Sequence, residues 1–373
     1  MSVLLRRVLP FACLGAFAFA FAQPVDAQEP WKADWDKTVA AAKKEGKVVL
    51  YMRRYDGVLK DFSKAYPDIK PTVVTGEGAV IGSRILTERR ADKYLVDFYV
   101  GGPYTATSTL QPAGALDPIP PQLVLPEVTD GTKWVGGAIR YTDPEQKYNL
   151  AFLASPGTNQ LAYNMTLVAD GEVHAYRDFL NPKWKGKIVS MDPTQRFIAG
   201  TLQFMYYHPD LGPDYIRALY QDMDVTIARN SRQMTDWLAA GKFALCIGCL
   251  AVEKAKQQGL PLQVLDTAVF DEGGAYLAGS GTISLINKPA NPNAAKVFLN
   301  WLLSREGQIA VQKMTDSGIH FNSGRVDIPK DDVDPQNRLI PGKTYFDQNS
   351  PDWADMTPVD AVTKEVTANK SVQ

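Results

Sequence analysis

Apolar residues in this chain alternate between two patterns, short continuous runs and longer stretches in which they recur at helical spacing. Trp35, Val39 and Ala42 share one face of a helix that Asp34 is placed to cap and Gly46 to end. Residues 48–51 form a strand-length apolar run. Leu59, Phe62, Ala65 and Tyr66 return to helical spacing, and Pro67 stops it. A strand over 72–75, a turn at Gly76-Glu77-Gly78, a helix through Ile81, Ile85 and Leu86, and a strand over 95–100 closed by Gly101-Gly102 complete the first third.

The middle third repeats the theme. Strands are predicted at 161–163, 188–191 and 243–247, and helices at 197–207, 215–223 and 250–258. A further helix carries Met234, Trp237 and Leu238, with Ser231 as its cap and Gly241 at its end. A strand over 282–286 and a helix through Val297, Phe298, Trp301 and Leu302 follow, with Pro292 at the helix start. Beyond about 323 the periodicity fades, predicting a surface wrap that ends in a short helix over 359–366. Strands separated by helices of these lengths define an α/β protein built on mainly parallel sheets.

An open α/β sheet binds ligands beyond the carboxyl ends of its strands. The segments to search are therefore 52–55, 76–78, 101–104, 192–196, 229–231 and 246–250. They supply Arg53, Arg54, Tyr55, Glu77, Gly102, Thr194, Gln195, Arg196, Arg229, Asn230 and Ser231 as candidate ligand-binding residues.

The start of the chain changes the picture. Arg6 and Arg7 precede an apolar run over 8–22, and Val25-Asp26-Ala27 offers a small-residue cleavage site. The run is shorter than the ~20 residues of a membrane span. Residues 1–27 are thus expected to be a signal peptide cleaved near Ala27, which places the mature chain outside the cytoplasm. Cys13 lies inside the run rather than at its end, so no lipid anchor is expected. Removing 27 of the 373 residues leaves 346, more than one hydrophobic core usually organises, and two lobes are expected.

The formal charge of −1 argues against nucleic acid as a partner, because a phosphate backbone selects a basic surface. Cys246 and Cys249 stand in a C-x-x-C spacing, but a zinc site takes about four ligands and His174, His208 and His320 are scattered. The spacing reads as a small disulfide or two buried thiols. No metal and no cofactor are expected. The chain also has no G-x-S-x-G and no metal-type His pair, so nothing predicts an enzyme.

The order of several short motifs resembles the extracellular solute-binding proteins of ABC importers, near the ferric-ion and organophosphate receptors. Trp35-Asp36-Lys37 through Lys43-Lys44-Glu45-Gly46-Lys47-Val48-Val49-Leu50-Tyr51 carries this resemblance. So do Arg84-Ile85 with Glu88-Arg89, Leu95-Val96-Asp97, the segment 123–127, and Asn181-Pro182-Lys183-Trp184-Lys185-Gly186-Lys187-Ile188. Asp192-Pro193 and Asn293-Ala294-Ala295-Lys296-Val297-Phe298 complete it.

The resemblance implies a two-lobed periplasmic-binding-protein-like fold of type II, each lobe a mainly parallel sheet flanked by helices, with the ligand cleft between lobes. Residues 28–150 and 275–325 would form lobe 1, 151–274 lobe 2, and 326–373 a C-terminal tail packing on both. It further implies a monomeric periplasmic receptor that closes on a small solute and is read by an ABC permease in the inner membrane, with no bond made or broken.

Ferric receptors of this family carry two adjacent tyrosines where this chain has Leu250 and Ala251, neither of which coordinates a hard cation. Tyr206-Tyr207 lies inside a predicted helix, which leaves Tyr55 and Tyr163 as phenolate donors. Arg53 and Arg54 instead follow the first strand directly, and guanidinium groups pair with carboxylates or phosphates. Asp192-Pro193-Thr194-Gln195-Arg196 resembles the segment that offers backbone N–H groups to an anion in related receptors, and a helix start there would be electropositive. Asn230 matches a polar position contacting anions in that family, and Arg229 and Arg232 flank it. Tyr104 and Tyr276 would wall a ligand that carries a ring. The expected ligand is a small organic anion, a carboxylate or phosphate ester. A ferric-ion receptor with a nonstandard tyrosine set, or a ligand-sensing accessory of a membrane kinase, remains open.

Overall fold

The computed structural model describes residues 30–157, 160–316 and 319–373; the expected signal peptide lies outside them. Two sheets organise the chain. In the first, the strand order is Lys70–Thr75, Lys47–Met52, Phe98–Gly101, Thr282–Ile286, Leu150–Ala151 and Arg140–Tyr141, with Leu116–Asp117 also paired to Thr282–Ile286. In the second, it is Thr226–Ala228, Ile188–Met191, Leu245–Ile247, Leu161–Asn164 and Leu262–Val264. Each sheet keeps a parallel group of strands. The strand by which the chain enters each sheet from the other runs antiparallel to its neighbours.

The connections explain that reversal. The chain leaves the first sheet after Ala151, passes Ser155–Pro156, and enters the second at Leu161; it leaves after Val264, passes Gly274–Leu277, and re-enters the first at Thr282. A strand arriving from the junction starts at the end where the parallel strands finish, so it must run against them. The two crossing strands pair antiparallel, Tyr276 opposite Pro156, and Tyr345–Asp347 of the tail adds a third strand parallel to Gly274–Leu277. We refer to this small sheet as the hinge.

Packing follows the apolar pattern. Phe62, Phe98, Phe298 and Trp301 cluster edge-to-face or tilted in the first lobe, with ring centroids 5.1–6.2 Å apart. Tyr176, Phe204 and Phe270 do the same in the second. The tail helix Thr357–Thr367 buries Val359, Val362 and Val366 in that second core. Where the tail begins, Arg325 is 1% exposed. It makes a two-pronged pair with Asp327 (2.8 Å each) and donates to the carbonyls of Leu303 and Glu127, which fixes this part of the tail on the first lobe.

Two helix starts differ from the sequence reading. The first helix spans Pro30–Glu45, so Asp34 lies within it and bonds Lys37 on its surface rather than capping. Gly46 does end the helix, at φ +70°. Asn230, not Ser231, caps the helix Ser231–Ala239: its side-chain oxygen accepts from the Gln233 N–H at 3.1 Å, and Ser231 is the first helical residue. Asparagine caps as well as serine does, and here it stands one residue nearer the strand. Among the described residues no helix is long and apolar enough to cross a membrane.

Candidate functional site

The carboxyl ends of Ile188–Met191 and Thr226–Ala228 are adjacent, and the Asp192 N–H donates to the Ala228 carbonyl at 2.8 Å. Asp192 itself is buried and organises the turn that follows. One carboxylate oxygen accepts from the Thr194 N–H (3.0 Å) and hydroxyl (2.8 Å); the other accepts from Arg229 Nε at 2.8 Å. Burial alone would raise the Asp192 pKa, but the bonds from Arg229 and Thr194 prevail and hold it below the ordinary carboxylate range. The ion pair uses only Nε of Arg229, whose side chain stays 64% exposed, so the outer face of the guanidinium points away from Asp192.

This alters the expected anion turn. The Thr194 and Gln195 N–H groups are spent on Asp192, on its side chain and carbonyl respectively. A 3-10 turn, Arg196–Ile198, precedes the α-helix Ala199–Tyr207 that had been expected to start at 197. Asn230 uses its side-chain oxygen as a cap, beside Arg229, and Ser231 is half-buried. Arg196 is exposed and lies over the ring of Tyr104, 5.3 Å to the centroid. Tyr104 belongs to the short helix Pro103–Thr105 that begins just beyond the first-sheet strand Phe98–Gly101. The carboxyl ends of the two sheets thus meet through a charged side chain and a ring.

On the first sheet, the Arg53 N–H donates to the Val100 carbonyl, and its Nε sits 3.0 Å from Glu77 Oε2, both side chains being exposed. Glu77 stands just before the helix Gly78–Arg90 in extended conformation and pairs with Arg53 instead of capping. Arg54 is half-buried. Gly102 precedes Pro103–Thr105 and its carbonyl accepts from the Tyr99 hydroxyl at 3.3 Å.

Two candidates sit apart from this rim. Tyr55 adopts φ +77°, a left-handed conformation that costs a side-chain-bearing residue about 1–2 kcal/mol. It is buried against Phe152 and Phe321, and its hydroxyl bonds that of Ser280 at 3.0 Å. Tyr276 lies in the hinge with the Arg140 guanidinium 4.4 Å above its ring, and burial pushes its phenol pKa up against the opposing pull of Arg140. Arg140 in turn forms a two-pronged pair with Asp347 at 2.7 and 2.8 Å and donates to the Leu153 carbonyl.

The structure therefore ties Thr194 and Arg229 to Asp192, sets Asn230 beside Arg229 as a helix cap with Ser231 as the first helical residue, places Arg196 over Tyr104, and pairs Arg53 with Glu77. The sequence reading did not include the organising roles of Asp192, Arg140 and Asp347. Only the first had a usable signal, an acid immediately after a buried strand. The two phenolate donors, Tyr55 and Tyr163, are engaged with Ser280 and with Asp170 (3.4 Å), and Tyr207 of the helical tyrosine pair donates to the Asp355 carbonyl. Leu250 and Ala251 follow the strand Leu245–Ile247, and Cys246 and Cys249 are joined in a disulfide.

Two sheets joined by paired crossing strands, with charged side chains gathered at their facing carboxyl ends, define a binding protein that takes a solute between two lobes. The chain belongs to the family of bacterial extracellular solute-binding proteins, which matches residues 57–335. It also resembles solved structures at identities that establish the fold alone. The Mannheimia haemolytica ferric iron-binding protein A in an open conformation is 13% identical with a TM-score of 0.62, covering 87% of this chain and 100% of that one. The Trichodesmium FutA complex with iron and citrate is 19% identical with a TM-score of 0.59, covering 86% and 99%. The Actinobacillus pleuropneumoniae protein AfuA, bound to fructose-6-phosphate, is 18% identical with a TM-score of 0.50, covering 87% and 98%. An uncharacterized Haemophilus influenzae protein is 28% identical over 154 residues, 38% of this chain; the chain spans about 40% of the length of that curated relative.

Proposed function

We propose that this protein is the periplasmic receptor of an ABC importer and that it binds a small organic anion, a carboxylate or phosphate ester, between its lobes. The observation that carries this reading is the Asp192–Arg229 pair. A buried carboxylate holds the guanidinium by one nitrogen and leaves its remaining donors available, an arrangement suited to two-pronged recognition of an acidic group. Arg196 adds positive charge at the same facing ends, while the Arg53 charge is offset by Glu77. A structural relative holds fructose-6-phosphate, an anion of this class. The reading needs no catalysis: binding and hinge motion suffice, with an inner-membrane permease as the partner that recognises the closed monomer. The Cys246–Cys249 disulfide suits an oxidising compartment reached by removal of residues 1–27.

The test is a thermal-shift panel of carboxylates and phosphate esters run beside ferric citrate and neutral sugars. Acids should stabilise the protein, and Arg229→Ala should remove most of that stabilisation, with Arg53→Ala and Arg54→Ala separating the first-lobe contributions. Stabilisation by ferric citrate or sugars alone would overturn the reading. Sequencing the N-terminus of periplasmic protein checks export; a chain still starting before Ala27 would contradict cleavage there.

A further inference from the structure

The strand order of the second sheet divides its cleft edge into two unlike halves. Thr226–Ala228 and Ile188–Met191 deliver Arg229 and Arg196. The next three strands deliver Leu250 and Val252, Gln160, and Leu265, which border a hollow of about 770 Å³ also lined by Gly157 of the crossing segment and by Arg338 and Ile340 of the tail. The halves abut. Gly248, at φ +91°, donates its N–H to the Gln160 carbonyl at 2.8 Å, and lies so close to Met191 that a Cβ at 248 would come within 2.7 Å of the Met191 Cβ.

The hollow is unlike the rim in charge. Glu253 and Asp266 border it, and the Arg338 guanidinium spends donors on the Val333 and Asp331 carbonyls. Two acids against the single guanidinium of the lining leave it net negative, which disfavours a second negative group there, whereas an uncharged body can pack against Leu250, Val252, Leu265 and Ile340. Its volume falls in the range of about 300–1,000 Å³ that houses whole organic ligands, far beyond what a bare phosphate or acetate fills. Two strand spacings, about 10 Å, separate the strand leading to Asp192 from the one starting beside Gln160.

We propose that this hollow is the second compartment of the ligand site, receiving the neutral, largely apolar body of an elongated organic anion whose acidic group sits at Arg196 and Arg229. The inference rests on the anion reading above and adds the ligand's length and polarity. Titration calorimetry of the full mature chain tests it with two matched pairs of probes, acetate against 5-phenylpentanoate and inorganic phosphate against 4-phenylbutyl phosphate. The long member of each pair should bind about tenfold tighter or more. Leu250→Trp, which fills the hollow from an exposed position, should bring that ratio close to one, and Ile340→Trp should do the same from the tail side. Compact anions that bind as tightly as their long partners would overturn this inference and leave the anion reading standing. Binding of neutral 5-phenylpentanol with no anion bound would overturn both the acidic head and the elongated-anion proposal. A ratio that neither tryptophan lowers would place the body elsewhere and overturn it too.

Discussion

The Arg196 guanidinium, carried by the second lobe, lies over the ring of Tyr104, carried by the first, at 5.3 Å to the centroid. Tyr104 is 65% exposed, so this contact is solvated and worth about 0.5–1 kcal/mol. Its importance is positional, because it links the two facing ends across the cleft.

Removing either partner should shift the ligand-free protein toward wider opening. Tyr104→Ala and Arg196→Ala are each expected to change the ratio of near to far lobe separations about two- to fivefold. The double variant should shift it no further than either single change. Single-molecule energy transfer between dyes on the two lobes reads this directly. Additive effects would mean that the two residues act independently.

Asp192 gives a pH prediction with a definite sign. Its folded-state pKa is lowered, so its ion pair and hydrogen bonds contribute fully above the ordinary aspartate range near 4, and the contribution is lost as pH falls through the lower folded value. Asp192→Asn should cost about 1–2 kcal/mol at pH 7. Urea denaturation from pH 7 to pH 3 should show the wild-type advantage shrinking below pH 4. An advantage unchanged at pH 3 would mean that the charge contributes nothing.

Arg140 and Asp347 are 207 positions apart yet form a pair whose side chains are 9% and 18% exposed. Asp347→Ala leaves the guanidinium with little water and should destabilise the protein by about 3 kcal/mol in chemical denaturation. Arg140→Met combined with Asp347→Leu should recover much of that loss, since the uncompensated charge is then gone. A double variant as unstable as Asp347→Ala would show that hinge geometry, not buried charge, sets the cost.

Reducing Cys246–Cys249 should matter modestly. The bond closes a very short loop, and the chain-entropy relation gives about 2 kcal/mol for it. Dithiothreitol should lower the urea midpoint by an amount equivalent to that figure while far-UV circular dichroism is unchanged. Unfolding on reduction alone would mean that the bond supports far more than its own turn.

Much of the fold was legible because it rests on patterns a sequence carries openly. The strand Ile188–Met191 is buried at every position, and Phe298, Trp301 and Leu302 repeat at helical spacing. Tyr345–Asp347 was not legible: three half-buried residues with no alternation become a strand only because Gly274–Leu277 offers an open edge. The helix cap moved from Ser231 to Asn230 because both residues can cap and only the path of the preceding strand selects between them. At the site, the arginines were visible as residue types. What each is tied to was not, since Asp192 and Arg229 are 37 positions apart and meet only because their strands are neighbours.

The tail's strand in the hinge has a kinetic consequence. Arg140, Tyr276 and the carbonyl of Leu153 can assemble their final arrangement only once Asp347 has arrived. A chain that folds as it is synthesised, N-terminus first, completes the first sheet only after residues 282–286 arrive, and the hinge later still. Contacts so distant in sequence carry a high loop-closure cost and form late. The unfinished chain is thus two lobes on slack connectors, and gains a defined swing only when the tail strand has docked.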